Sequence, residues 1–325
     1  MGSTAQATLA THASERRRSL MHILMLLATV FWAANIVAGK EAVPWFGAMA
    51  VAQLRLLGAA LLFGALFFVR PARATLRLGR REWLVLGTAA LNGLTINQIC
   101  FVGGLARTSV AHTSLIVALG PIMVLVLACS MRLEPLTLWK FLGMLISFGG
   151  VGVLTIGDPG KGNGASWQGD LIVLAGSASF ALFTIQLKGI AVRYDALTLN
   201  TLTFAVGALL MIPFALGGIM SVQWTRLPAH AWWGLAFMIV PGSVVAYLIY
   251  SYSLSGLSAS RVAAFAYLQP AIAAVLGVWL IGEKITLRVL IGGVLILLGV
   301  YLSERERGEE SKLDGINEAA NWGGV

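Results

Sequence analysis

Ten apolar stretches follow one another along the 325-residue chain, separated by short polar connections. Several are longer than the roughly 18 residues that identify a membrane-spanning helix. The stretches predict ten helices, at residues 20–38, 46–69, 83–103, 109–129, 136–156, 171–187, 197–220, 231–254, 259–281 and 285–302. This pattern is typical of an all-α polytopic membrane protein.

A doubled motif relates the first five helices to the last five. Pro121 lies thirteen residues before Glu134, and Pro270 lies thirteen residues before Glu283, so the copies are 149 residues apart. The same offset matches Phe31 with Phe180, Trp83 with Trp232, Gly93 with Gly242, Gly143 with Gly292 and Gly150 with Gly299. Because five is odd, the second half enters the membrane from the opposite side. Inverted repeats of this kind are typical of transporters that work by alternating access.

The repeat divides the chain into five segments. We expect a cytoplasmic tail at residues 1–19, a first five-helix repeat at 20–156, an inter-repeat loop at 157–170, a second repeat at 171–303 and a cytoplasmic tail at 304–325. A central cavity between the two repeats completes the predicted fold.

Composition and charge support a membrane location. Only 11% of the residues are charged, whereas a soluble domain has about 25%. The net charge of +9 comes mostly from Lys and Arg in the connections, with sixteen on the side of the termini and six on the other side. This bias places both termini in the cytoplasm and argues against nucleic acid as a partner. Cys100 and Cys129 fall inside apolar stretches, where we expect buried thiols, and we expect no cofactor or metal.

The motif that opens the last helix of each half resembles a known family. Residues 134–137 read Glu-Pro-Leu-Thr and residues 283–286 read Glu-Lys-Ile-Thr, and spaced glycines follow in both copies. Two such five-helix units resemble the EamA-type drug/metabolite transporter superfamily over about residues 20–303. The resemblance implies an exporter of small metabolites in the bacterial inner membrane. Members of the superfamily handle amino acids, including aromatic ones.

Polar and aromatic residues inside the spans mark the candidate site, because polar groups in lipid face a wet interior. They concentrate on the first, third, fourth, sixth, eighth and ninth spans, whereas the fifth and tenth are almost wholly apolar and should lie outside as braces. Hydrogen bonding between packed helices, or aromatic contact with lipid, is the alternative role. The candidate substrate-binding residues are Trp32, Asn35, Asn97, Gln98, Phe101, His112, Gln186, Tyr247, Tyr250, Arg261, Phe265 and Tyr267.

Three basic side chains have separate expected roles. Arg261 lies about one turn from the cytoplasmic surface and is a candidate carboxylate handle, with snorkelling to lipid headgroups as the alternative. His112 is its repeat partner near the outer surface. Arg55 lies deeper, and we expect it to be structural. No Asp or Glu lies within a predicted span, which favours uncoupled, gradient-driven export, with coupling through His112 as the alternative.

The repeated prolines and glutamates have different expected roles. Each proline frees the carbonyl four residues earlier, at Val117 and Ala266, so Pro121 and Pro270 are predicted kink or gating positions. A static kink is the alternative. Glu134 and Glu283 begin the next helices and are predicted to stabilise their N-termini.

The sequence thus predicts a secondary transporter and no enzymatic activity, with aromatic amino acids as the leading substrates. A drug or nucleotide-sugar carrier of the same superfamily is the alternative, followed by an intramembrane enzyme or a passive pore. The sequence leaves a monomer and a homodimer equally open.

Overall fold

The fold is a bundle of helices, seen in a computed structural model that describes residues 2–70, 78–130, 137–155, 166–191, 193–257, 262, 265–282, 284–299 and 301–302. Its helices are α1 Gly2–Phe46, α2 Ala48–Val69, α3 Arg80–Leu105, α4 Val110–Val117, α5 Gly120–Ser130, α6 Leu138–Thr155, α7 Trp167–Ala191, α8 Ala196–Met220, α9 Ala229–Gly256, α10 Gln269–Ile281 and α11 Leu287–Gly299.

The helices match the ten predicted spans in order. Seven spans in the described chain are long and apolar enough to cross a membrane, and shorter apolar helices at Phe141–Gly150, Phe265–Leu280 and Leu287–Gly299 supply the fifth, ninth and tenth. The prediction of a ten-helix, all-α membrane protein is confirmed. The first span runs to Phe46 rather than residue 38, and it ends where Gly47 adopts a φ of 80°, a conformation that favours glycine.

The two halves repeat in backbone detail as well as in sequence. Leu91–Ile96 in α3 and Val240–Val245 in α9 are both π-helical, and these segments are 149 residues apart at each end. Each contains a glycine that allows a side chain to approach closely. The ring of Phe183 lies against Gly93, and the amide of Asn35 lies against Gly242. Such single π-helical turns are frequent at functional sites.

Each repeat also contains an interrupted helix, and the same 149-residue offset relates the two interruptions. The fourth span breaks at residues 118–119 between α4 and α5, and a 3₁₀ turn at Phe265–Leu268 precedes α10. Pro121 and Pro270 lie in the first turn of the half-helix that follows, where proline needs no hydrogen-bond partner for its nitrogen. A gating role for these positions stays a prediction. Glu134 and Glu283 lie outside the described residues.

Helices α6 and α11 cross each other within one chain. An added Cβ on Gly150 would lie 2.7 Å from the carbonyl oxygen of Gly292, and one on Gly299 would lie closer still to the carbonyl oxygen of Gly143. The hydroxyl of Ser147 donates to the carbonyl of Ile296 at 3.1 Å. Residues 147 and 296 are themselves 149 apart, so the crossing lies on the axis that relates the repeats. The spaced glycines of these helices therefore have an intramolecular packing role.

A polar contact ties the end of α2 to the start of α8. Arg70 donates to Asp195 at 2.9 Å and to Thr198 at 3.1 Å. Asp195 also caps α8 by accepting from the backbone N–H of Thr198 at 3.0 Å. Partial burial raises the pKa of the Asp195 carboxyl, but the hydrogen bonds from Thr198 and the charge of Arg70 outweigh it, and the net pKa is lowered.

Neighbouring glycines test the crossing of α6 and α11. We expect Gly150→Ala to lower the thermal unfolding midpoint of the detergent-solubilised protein, because its Cβ would meet Gly292 and Ile296; overpacking of this kind costs about 1–3 kcal/mol. Gly149→Ala is the matched control, since a Cβ there would have nothing within 4 Å. Equal midpoints for the two variants would contradict the packing role.

Candidate substrate cavity

A cavity lies between the two repeats. It holds about 830 Å³ of space that protein atoms do not fill, counted out to its open mouth. Ten of its nineteen lining residues come from the first repeat and nine from the second. Neither α6 nor α11 contributes a described lining residue, in accord with their expected place outside.

The lining follows the symmetry of the repeat. Twelve of the nineteen lining residues form six pairs separated by 149 positions, so the axis that relates the halves passes through the cavity. The pairs are Trp32 with Ala181, Asn35 with Thr184, Gln98 with Tyr247, Phe101 with Tyr250, Val117 with Ala266 and Gly120 with Gln269. A ligand on this axis would contact both halves of the chain.

Aromatic rings form one wall of the cavity. The Trp32 ring lies 5.4 Å from that of Tyr250 and 5.8 Å from that of Tyr247, in edge-to-face arrangements. Phe180 lies 5.7 Å from Tyr250, whose hydroxyl is 2.7 Å from that of Thr184. These contacts hold the rings in fixed orientations, and the wall is suited to a flat or aromatic ligand.

The polar side of the cavity is formed by one guanidinium, that of Arg55, and the groups to which it donates hydrogen bonds. Arg55 is 3% exposed; its Nε donates to the hydroxyl of Ser243 at 2.6 Å, and its two Nη atoms donate to Gln98 at 3.0 Å and to the carbonyl of Gly242 at 3.3 Å. The indole N–H of Trp32 donates to the same Gly242 carbonyl at 3.2 Å. Gly242 therefore joins the aromatic wall to the charged group.

Seven of the predicted binding residues lie together in this lining: Trp32, Asn35, Asn97, Gln98, Phe101, Tyr247 and Tyr250. Their roles in binding stay predictions, but their proximity is what the doubled polar pattern led us to expect.

The other five predicted residues lie elsewhere. Gln186 bonds with Asn92 at 3.2 Å, and Phe265 packs near His22 with ring centroids 6.0 Å apart. Tyr267 is half-buried and outside the lining. Arg261 is outside the described residues, and His112 takes part in a separate buried cluster described below.

Several lining residues were absent from the predicted binding set. Arg55, Ser177, Thr184 and Gln269 were recognisable as polar residues inside spans, which is the signal that could have found them. Val117 and Ala266, the positions whose carbonyls the prolines free, also line the cavity. Proline lacks an N–H, so these two carbonyls have no donor four residues on and can face a polar ligand.

A buried carboxylate corrects one expectation from the sequence. Asp170, which we placed in the inter-repeat loop, lies in the first turn of α7 and is 1% exposed. One of its oxygens is 2.9 Å from Nδ1 of His112, and the other accepts from the hydroxyl of Thr108. Lys40 donates to the carbonyl of Thr108. The start of α7 therefore carries a buried acid after all, because the helix begins four residues before the predicted span.

Comparison with known proteins agrees with this architecture. The model of the EamA-like transporter family matches residues 19–156 and again residues 167–305. The chain belongs to the EamA-like transporter family. All nineteen residues that line the cavity fall within these two EamA-like segments.

Relatives of this EamA-like transporter align over most of their length. An uncharacterised transporter of Archaeoglobus fulgidus is 27% identical over 88% of this chain and 99% of its own, and the transporter YyaM of Bacillus subtilis is 28% identical over 86% and 92%. A probable terminal-alkyne amino-acid exporter of Streptantibioticus cattleyicolor is 23% identical over 86% and 92%. A solved crystal structure shares the fold, with a TM-score of 0.60 and 18% identity over 88% of this chain and 96% of that chain.

The glycine between the aromatic wall and the guanidinium gives one test of the cavity. We expect Gly242→Ala to reduce transport at least about tenfold, because its Cβ would lie 3.0 Å from Cγ of Asn35 and closer still to its oxygen, displacing the amide from the lining. Gly217→Ala, where a Cβ would meet nothing within 4 Å, is the control. Flux in proteoliposomes is the measurement, and equal rates for both variants would count against the cavity.

The buried acid gives a second test. Asp170→Ala leaves His112 and Thr108 without their carboxylate partner, which should lower stability by about 1–3 kcal/mol. Arg193→Ala is the control, because it removes an ion pair of 3.2 Å whose arginine side chain is 71% exposed. Thermal unfolding in detergent measures both. A loss for Asp170→Ala no larger than that for Arg193→Ala would show that the buried contacts contribute little.

Proposed function

We propose that this EamA-like transporter exports small metabolites across the bacterial inner membrane by alternating access, with aromatic amino acids as its leading substrates. One observation carries the proposal: a cavity on the axis between two inverted repeats, with a polar group on one side and a wall of aromatic rings on the other.

Alternating access is supported by the interruptions that both repeats carry. The half-helices that begin at Gly120 and Gln269 follow breaks in the fourth and ninth spans, and both of these residues line the cavity. Helix breaks are sites where a half-helix swings with little loss of backbone hydrogen bonding. We propose that α5 and α10 move about these breaks, which gives Pro121 and Pro270 their gating role.

The aromatic wall supports the choice of substrate. Trp32, Phe180, Tyr247 and Tyr250 present ring faces and edges that bury a flat side chain, and aromatic pairs of this kind contribute about 0.5–1.5 kcal/mol each beyond area burial. The distant relative described as a probable amino-acid exporter adds support for amino acids as a class. A drug or nucleotide-sugar carrier remains the alternative.

The direction and the energy source are parts of the same proposal. The excess of Lys and Arg on the side of the termini supports cytoplasmic termini. We propose that the substrate gradient drives export. Proton coupling is the second candidate mechanism, because the Asp170–His112 pair gives the bundle a buried titratable cluster.

Counterflow in proteoliposomes tests the function. We expect labelled phenylalanine, tyrosine and tryptophan to exchange, and Trp32→Ala to slow the exchange about tenfold by removing part of the wall. Trp279→Ala is the matched control, since that ring is 85% exposed on the outside of the bundle.

The outcomes separate the alternatives. Absence of exchange with any amino acid, alongside exchange of a nucleotide sugar or a drug, would replace the leading substrate class. Accumulation driven by an imposed pH gradient, and lost in Asp170→Asn, would replace the uncoupled mechanism by proton-coupled export.

A further inference from the structure

Arg55 breaks the symmetry of the cavity. It is the only residue with a formal charge among the nineteen described lining residues. Its partner at the 149-residue offset is Phe204, which is buried and packs edge-to-face on Tyr247 with ring centroids 5.0 Å apart. The positive charge therefore belongs to one half of the pseudo-symmetric site, and packing symmetry does not require it.

The surroundings of Arg55 leave its charge uncompensated. Its three hydrogen bonds go to a hydroxyl, an amide oxygen and a backbone carbonyl, and it forms no ion pair within the described part of the chain. A guanidinium stays protonated in proteins and has five N–H donors, so three donors are engaged here. A buried cation without a counter-ion is unfavourable, and an anionic ligand beside it would remove that penalty.

Two buried oxygens provide the complementary polarity. Oδ1 of Asn35 and the hydroxyl of Ser177 have no hydrogen-bond partner among the described residues, although the two residues are only 2% and 7% exposed. Both residues line the cavity. Asn35 also lies against Gly242, whose carbonyl accepts from Arg55, so the acceptor and the guanidinium share one neighbour. An unpartnered buried acceptor is costly until a donor reaches it.

From this arrangement we infer that Arg55 binds the carboxylate of the transported molecule, while Asn35 and Ser177 accept hydrogen bonds from its ammonium group. The cavity thereby selects zwitterionic α-amino acids over amines and neutral amides. This inference rests on the proposed export function and names the part of the site that recognises the substrate's charge. It gives Arg55 the handle role that the sequence suggested for Arg261.

Ligand binding to the detergent-solubilised full chain tests the inference. The probes are L-phenylalanine, L-phenylalanine amide, which lacks the carboxylate, and 3-phenylpropionate, which lacks the ammonium. Calorimetry or ligand-induced thermal stabilisation at pH 7 gives the affinities. We expect the wild-type protein to prefer phenylalanine over its amide by about 10- to 100-fold, the range for hydrogen bonds between charged groups.

Three variants connect the preference to this side chain. Arg55→Gln should abolish the preference for carboxylate, and Arg55→Lys should keep part of it, because lysine retains the charge but loses the planar fork. Arg70→Gln is the control, since it removes the arginine that directly follows the same helix and lies outside the cavity. If Arg55→Gln does not fold, Arg55→Lys decides, and an unchanged preference in that variant overturns the inference.

The outcomes distinguish this inference from the proposed function. Equal wild-type affinity for phenylalanine and its amide overturns the role of Arg55 and leaves amino-acid export standing. Binding of 3-phenylpropionate but not phenylalanine, lost in Arg55→Gln, supports the role of Arg55 and overturns amino acids as the substrate. Binding of no carboxylate overturns both.

Discussion

Lipid offers no hydrogen-bond partner, and this constraint orders the whole bundle. A buried polar side chain is favourable only beside another polar group of the protein or its ligand, so the helices that carry Asn, Gln, Ser and Tyr turn toward one another and enclose the cavity. Helices α6 and α11, which have almost no such groups, stay outside and pack through glycine instead. The polar network around the cavity and the outer position of α6 and α11 both follow from the lack of hydrogen-bond partners in lipid.

The repeat makes this arrangement nearly symmetric, and the candidate site contains positions at which the two halves differ. Paired π-helical segments place Gly93 and Gly242 at equivalent positions, but one receives a phenylalanine ring and the other an asparagine amide. The phenylalanine ring at Gly93 fills the space between helices, whereas the asparagine at Gly242 lines the cavity beside Arg55. In the proposed mechanism the inverted repeat supplies the two-state scaffold, and positions that differ between the two halves supply the chemistry that recognises the substrate.

The sequence predicted the helices and seven of the nineteen residues that line the cavity, because apolar length and polar placement are local signals. Trp32, Gln98 and Tyr250 were found because a polar or aromatic residue inside a span has few other places to go. The position of Arg55 in the cavity lining and that of Asp170 in a buried cluster were not predicted, for a different reason. Both depend on which groups from distant helices face them: neutral partners around the arginine, and His112 beside an acid whose helix begins early. No periodicity within one helix contains that information.

The two buried ionisable side chains, Arg55 and Asp170, differ in the partners that surround them. Arg55 faces the cavity and has only neutral partners, so its interaction energy is available to a ligand that arrives there. Asp170 is absent from the lining, and its two oxygens bond to His112 of α4 and to Thr108 just before that helix. These contacts connect α7 to the start of α4. In the proposed alternating-access cycle, a ligand would therefore change the balance between states through Arg55 directly. Asp170 would influence that balance only when the contact between the helices breaks, which is the behaviour expected of a group that stabilises one conformation.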